Sequence, residues 1–403
     1  MPPMKRFATT AGLFACLALC LQAQAADTSS FFDPVDGKFD VSTYLAENAF
    51  GFLPVPSIIT EPAVDGGLGL MGLIFHEDEE SAEKRKQAML TSEKASAYLL
   101  PPNVSAIGGA YTGNGSWFVG GGHMGFFKQG RIRYQGGGGY GDLDLDFYSV
   151  GDKDLNRAVA LNSKALLISQ SLKFKIGDLP LYIGPLQRYV DSEISPAKSF
   201  GDLFPVEFPP EFVDKITDLL TSEITSSGLG IEFELDTRDN VFSPTEGLQW
   251  NFSYLAYRDE LGSDLHYDSY HLTGLNYFRF TDSFRGGLRL DMESVEGDEA
   301  LPPFAQPGIK LRGIPAARYQ GSNVGVLEAE ISWEIENRWS VLGFVGAGKT
   351  AESFSDINDA GSQVARGLGF RYLVARRYGF QMGMDLARGP EDTVFYITAG
   401  SAW

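Results

Sequence analysis

Between Val326 and Glu336 the chain alternates more strictly than anywhere else. One parity reads Leu327, Ala329, Ile331, Trp333, Ile335, and the other Glu328, Glu330, Ser332, Glu334, Glu336. A strand repeats its side-chain direction every two residues, so one face is wholly apolar and the opposite face carries four carboxylates. No helical spacing competes with that period. In a soluble protein the apolar face would pack on a core. In an outer-membrane barrel it would meet lipid while the acids line a polar lumen. A single strand is compatible with both, so the choice rests on whether the pattern recurs.

It does recur. Leu229, Ile231, Phe233 and Leu235 oppose Glu232, Glu234 and Asp236; Leu248, Trp250, Phe252 and Tyr254 oppose Gln249, Asn251 and Ser253. Leu288, Leu290 and Met292 oppose Arg289, Asp291 and Glu293, and Tyr378, Phe380, Met382, Met384 and Leu386 oppose Gln381, Gly383 and Asp385. The last strand sets Phe395, Ile397, Ala399 and Trp403 on one face. Upstream, Gly66–His76, Val104–Tyr111, Trp117–Phe127, Arg131–Val150, Ala158–Ile176 and Pro180–Ser192 read as strands, with an Asn114-Gly115 hairpin turn between the second and third. Two of them have the length of tilted membrane strands. Gly136–Gly139 suits a sharply curved wall, and aromatics near strand ends, among them Trp117, Tyr254, Trp333 and Trp339, suit interfacial girdles.

The expected fold is therefore all-β, a transmembrane antiparallel β-barrel over residues 66–403. About fifteen strands can be counted, but a barrel chain with both termini on one side needs an even number. Sixteen is expected and fourteen is the alternative, with the miscount before residue 225. Phe200–Ser226 breaks the pattern. Its Phe212, Val213, Ile216, Leu219 and Leu220 predict an external loop carrying one amphipathic helix.

A net charge of −19 argues against nucleic-acid partners, which want a basic face. After residue 25 no apolar run approaches the roughly 18 residues of a membrane helix, a test that barrels escape because their faces alternate. Residues 1–25 read as a signal peptide, with Lys5 and Arg6, an apolar Phe7–Leu21 and an Ala23-Gln24-Ala25 cleavage site. Both cysteines, Cys16 and Cys20, lie in it, so the exported chain would hold no disulfide and no thiolate site. Residues 26–65 would be a periplasmic lead-in. There Asp33, Asp36 and Asp40 around Gly37 hint at a calcium loop but lack EF-hand spacing, which favours an Asx-rich turn.

Several motifs mislead. Gly67-x-Gly69-x-x-Gly72 matches a dinucleotide fingerprint, and Gly343–Thr350 (GFVGAGKT) a P-loop, yet both sit in extended runs rather than opening a helix. His76, His123, His266 and His271 show no metal-ligand spacing, and there is no G-x-S-x-G elbow. No catalytic, cofactor or metal site is expected.

Other residues carry a resemblance. Asp236-Thr237-Arg238-Asp239-Asn240 with Pro244-Thr245-Glu246-Gly247 resembles the D-x-R-D…P-x-x-G strand-and-turn signature of the bacterial surface antigen barrels, the superfamily of the barrel-assembly and translocation-assembly insertases. Leu311-Arg312-Gly313-Ile314 is similar to their V-R-G-Y/F motif, borne on a loop that folds into the lumen. Phe344–Gly348 is similar to their F-x-D-x-G strand, with Gly346 replacing the acid; Gly369-x-Arg371 and Met384-Asp385-x-Ala387 resemble their closing strands.

The resemblance implies a barrel in the outer membrane of a Gram-negative bacterium, acting in envelope biogenesis or protein or lipid translocation without turnover. It implies surrounding lipid as a partner, and recognition by the assembly machinery through the terminal strand, where Trp403 takes the place of the usual Phe. About forty residues between leader and first strand leave no room for a POTRA domain, which would make this a POTRA-less form. Homodimerisation stays open. Arg312, in an acid-rich lumen, is expected to latch the loop Gly297–Gly321. Glu328 and Glu330 are its nearest partners, Asp236 and Asp291 project into the same space, and Gly313, Arg238 and Asp239 are the motif neighbours. The alternative is a passive cation-favouring pore, which an unfilled lumen would support.

Overall fold

A computed structural model describes residues 31–44, 51–76, 103–150, 153–196, 222–240, 243–297, 301–302, 304–401 and 403. Sixteen strands run in one sheet, each antiparallel to the next in chain order. They are β1 (Gly51–Ile59), β2 (Gly67–His76), β3 (Asn103–Thr112), β4 (Trp117–Phe127), β5 (Ile132–Val150), β6 (Lys153–Lys175), β7 (Leu181–Pro196) and β8 (Ser222–Asp236). The second half comprises β9 (Gly247–Tyr257), β10 (Tyr267–Arg279), β11 (Phe284–Gly297), β12 (Asn323–Glu336), β13 (Trp339–Ala351), β14 (Gln363–Ala375), β15 (Phe380–Arg388) and β16 (Thr393–Ala399). Odd-to-even connections gather at one end of the barrel, the loop end. Even-to-odd connections gather at the other, the turn end. The leader at residues 1–25 and the helix expected in Phe200–Ser226 lie outside the described residues.

The barrel is apolar outside and polar inside, as alternation demands. On β12, Leu327 is 50% and Ile331 53% exposed while Glu328 is 1% exposed. Leu368, Leu386 and Phe395 continue the outer belt on β14, β15 and β16. The dinucleotide-like glycines lie within β2 and the P-loop-like run within β13, so neither opens a helix.

The miscounted strand is β1, which lies inside the stretch assigned to the lead-in, so the barrel wall begins before residue 66. Pro54 and Pro56 hide it, because proline within a run argues against a central strand. They also fix its orientation. Residues two apart present their backbone groups to the same side, so both missing N–H donors face one neighbour. The register of β1 with β2 runs unbroken from Gly51↔Phe75 to Ile59↔Gly67, so the prolines face the other way. That free edge is the seam toward β16, and among the described residues β1 and β16 share no ladder.

Part of the lumen is filled. At the loop end Leu255, Tyr257, Tyr267, Val295 and Leu301 form an apolar cluster, with Tyr257 and Tyr267 stacked at 4.1 Å. Below it the loop between β11 and β12 descends along the β11–β16 wall, where Ile309, Leu311 and Ile314 pack on Val324, Val326 and Ala365. Against the β3–β10 wall a cavity of about 760 Å³ remains, bordered by polar groups such as Gln135, Ser171, Asn251 and His271.

Candidate functional site: the lumen latch and the turn-end clamp

Arg312 stands at the centre of the filled half. Its Nε and one terminal nitrogen donate to Glu328 at 2.8 and 2.6 Å; the same nitrogen donates to Glu330 at 2.9 Å, and the other to Asp385 at 2.8 Å. The guanidinium lies 3.5 Å from the centroid of the Phe344 ring, so a π-face covers the side the acids leave open. Arg371 makes two further bonds to Asp385, and the Trp403 indole N–H donates to Glu328 at 2.9 Å. A buried charge in such a site is tolerated only when paired and hydrogen-bonded, and here every acid around Arg312 is.

The loop's backbone is fitted as closely as its charge. Gly313 has φ +91°, and a Cβ there would come 2.8 Å from the nitrogen of Gly389, so the chain needs glycine twice over. Its N–H is taken by the Tyr396 hydroxyl at 2.9 Å. The departure at Gly346 has the same explanation. A Cβ at 346 would lie 2.6 Å from Leu311 Cδ2, so an acid there would have to push the buried Leu311 side chain aside, and Asp385 and Glu330 hold the arginine.

Of the residues read from the sequence, the structure thus brings together Arg312, Gly313, Glu328 and Glu330. Asp236, Arg238 and Asp239 are not part of the latch. They sit at the turn end between β8 and β9, where Asp236 accepts two bonds from the Arg238 guanidinium and Asp239 caps Thr245 and Glu246. Asp291 does not bond Arg312 directly; it pairs with His271 and Arg289, and Arg289 reaches on to Glu328 at 3.5 Å and to the Lys310 carbonyl at 2.9 Å. Parity had placed these acids on the correct face but could not give their height along the barrel. Trp403 is not on the outer face either. After Ala399 the chain leaves the ladder at Gly400 (φ +82°), and the indole turns into the lumen against Tyr277. Asp385, Tyr396 and Phe344 were the participants not foreseen. Asp385 was legible as a lumen-facing acid on β15, but its partner is 73 residues away.

At the turn end the acids of the calcium-like motif converge on a guanidinium. Arg338, fully buried between β12 and β13, donates to Asp33 at 2.7 Å, to Asp36 at 2.6 and 2.9 Å, and to Asp40 at 2.5 Å. Arg376 adds a bond to Asp33 at 2.5 Å. Burial alone would raise the Asp33 carboxyl, but the Arg376 bond, the Val35 N–H and both guanidiniums outweigh it and hold it at about 2. The Arg338 bond likewise holds Asp36 low, and Arg338 itself is raised.

Three smaller clusters complete the polar inventory. On the β5–β8 wall Arg133 and Lys173 neutralise Glu234, and Lys173 also reaches Glu232 at 3.4 Å. His271, Asp291 and Glu293 offer three ligand atoms close enough for a cation, a grouping across β10 and β11 that spacing within one strand could not show. Lys310 already occupies Glu293 at 2.6 Å and Arg289 occupies Asp291. Ser105 accepts or donates to His76 at 2.8 Å and His123 at 2.9 Å, but it lies on a regular strand. Among the described residues neither histidine has a carboxylate partner. His266 lies just outside β10, bonded to Asp259.

No family model matches the chain, and no curated protein matches its sequence. Solved structures do match. BamA from Haemophilus ducreyi lacking POTRA domains 1–3 superposes with a TM-score of 0.57 at 10% identity, over 87% of this chain and 70% of that one. CdiB from Acinetobacter baumannii and CdiB from Escherichia coli each give 0.52 at 12% identity, covering 86% and 87% of this chain. The chain spans 59% and 62% of the length of those two. The superposition covers most of the chain in each case: this protein is a sixteen-stranded barrel of the fold seen in BamA and CdiB.

Proposed function

We propose that the protein is an outer-membrane barrel that assists the assembly or translocation of proteins or lipids, its lumen held shut by the Arg312 latch. The carrying observation is that guanidinium, buried among Glu328, Glu330 and Asp385 on a loop whose Ile309, Leu311 and Ile314 are themselves buried. A loop pinned inside the lumen by buried charge suits a gated role better than free diffusion. The β1–β16 seam supports the same reading. Because Pro54 and Pro56 face it, a regular ladder cannot zip it, and the wall can yield there at less cost than between any fully paired strands. Similarity of fold to BamA and CdiB points the same way.

The passive cation pore draws on the acid-rich lumen. Those acids are largely spent on Arg133, Lys173, Arg289, Arg312 and Arg371, so the wall presents far less free negative charge than its composition suggests. Single-channel recording in planar bilayers tests the choice. A nearly closed wild type that opens often as Arg312→Ala supports the latch. A steady cation-selective current that the substitution leaves unchanged would instead establish the pore. Depleting the protein in its host and quantifying outer-membrane proteins and lipids tests the assembly role; an unaltered membrane composition would rule it out.

A further inference from the structure

The segment 31–44 does more than occupy the turn end. Phe32–Asp40 is a small hairpin, closed by Asp33 N–H to the Lys38 carbonyl at 2.9 Å, a Phe32↔Phe39 bridge and a turn at Gly37 (φ +67°). Its three carboxylates all face Arg338 and Arg376. Its other face is apolar and uncovered: Phe32 is 52%, Val35 75% and Phe39 46% exposed, with the two phenyl rings edge to face at 6.5 Å. Three large apolar side chains on so short a segment cost free energy in water unless something covers them.

Their surroundings say what does. The Tyr372 hydroxyl donates to the Phe39 carbonyl at 2.7 Å, and Lys38 pairs with Glu336 at 2.8 Å. Tyr372 belongs to the outer face of β14, where Trp339 meets it at 4.8 Å and Phe370 at 5.9 Å from the Trp339 ring. This is an aromatic girdle at the rim of the wall, the depth at which such rings meet lipid headgroups. The Tyr372 bond to the Phe39 carbonyl sets the hairpin beside it.

We propose that the Phe32–Asp40 hairpin is an interfacial membrane anchor. Phe32, Val35 and Phe39 enter the headgroup boundary beside β12–β14, and the arginine clamp sets their depth and orientation. The occupant is a phospholipid surface: the large exposed side chains are apolar, and the nearby charges are Lys38 at the rim and Asp36, which Arg338 neutralises, a pattern that suits headgroups better than a second protein's polar patch. The lead-in is then fastened to the wall and the membrane together, next to the strands that carry the latch. The proposal rests on the barrel being embedded in a bilayer.

The test uses the full chain in liposomes, in a Cys16→Ala, Cys20→Ala background, with a bimane label at Val35→Cys, at Val345→Cys on the outer wall, or at Asp359→Cys in the β13–β14 loop. Quenchers are aqueous iodide and phosphatidylcholines brominated near the headgroup or deep in the chain. Strong quenching of position 35 by the shallow lipid, with position 359 answering only to iodide, is expected. Replacing Phe32 and Phe39 together by Ser leaves the clamp intact and should cut that quenching at least about twofold. If position 345 is lipid-quenched and position 35 answers only to iodide, the anchor is overturned while the embedded barrel stands. If position 345 is not lipid-quenched, both fall.

Discussion

Replacing Arg312 by Ala removes four hydrogen bonds to three carboxylates at once. The cost follows from what each acid keeps. Asp385 retains two bonds from Arg371, and Glu328 retains the Trp403 indole and Arg289 at 3.5 Å. Glu330 keeps no hydrogen bond among the described residues, yet its side chain is 19% exposed and can take water. Breaking a buried pair from one side costs about 3–5 kcal/mol, and these partial compensations place this case near the lower figure. A loss of about 3 kcal/mol shifts the docked-to-released ratio of the loop by about 100- to 200-fold. Bilayer recordings should show open dwell rising accordingly, and proteolysis should cut the loop around Ala316 faster. Arg312→Lys should be intermediate, since an ammonium cannot serve three carboxylates with one planar fork. Adding Glu330→Gln to Arg312→Ala removes the orphaned charge and should recover about 1–2 kcal/mol, a coupling that a double-mutant cycle reads directly. If Arg312→Ala leaves both conductance and proteolysis at wild-type values, Arg312 is not what holds the loop.

The remaining predictions address separate parts of the barrel. Restoring an acid by Gly346→Asp should loosen rather than tighten the latch, because its Cβ would meet Leu311 Cδ2 at 2.6 Å; a thermal shift should show a loss of about 1–3 kcal/mol. Pro54→Val with Pro56→Val returns two N–H donors to the seam and should let β1 and β16 pair, measured as slower amide exchange in β16. Asp33, held at about 2 against an ordinary 3.8, stabilises the docked hairpin only while ionised. That stabilisation is complete above about pH 4 and is lost as pH falls through about 2, roughly 2 kcal/mol in all, so a label at Val35 should gain mobility in acid and stay unchanged from pH 5 to 8.

How much of this was legible follows from what alternation encodes. Period two assigns a face, and β8, β9, β11, β12, β15 and β16 were read that way, each with its lipid side and lumen side. It assigns neither height nor partner. Asp236 and Asp291 look equivalent to Glu328 in the sequence, yet each is neutralised by the nearest base at its own level, Arg238 and Arg289. Lumen acids therefore gather into short-range neutral groups, which Arg289 links at Asp291 and Glu328, and among the described residues Glu328, Glu330 and Asp385 are the acids that bond the loop arginine. β1 escaped because its prolines mimic a loop, although they are allowed there because its outer edge needs no donors. Trp403 escaped because parity stops counting once the ladder ends at Ala399. The Asp33, Asp36, Asp40 spacing favoured an Asx-rich turn over a calcium loop, and each carboxylate does accept the N–H two residues on; what the spacing could not show is the guanidinium they share, supplied from about 300 residues away by the fold. That shared guanidinium also joins the two sites. Arg338 lies in the turn just after β12, the strand that carries Glu328 and Glu330, so β12 is held at the turn end by the N-terminal hairpin and at mid-height by the loop arginine. Any motion of the loop that drags β12 must work against both clamps, which makes β12 the strand through which events at the membrane surface would reach the lumen.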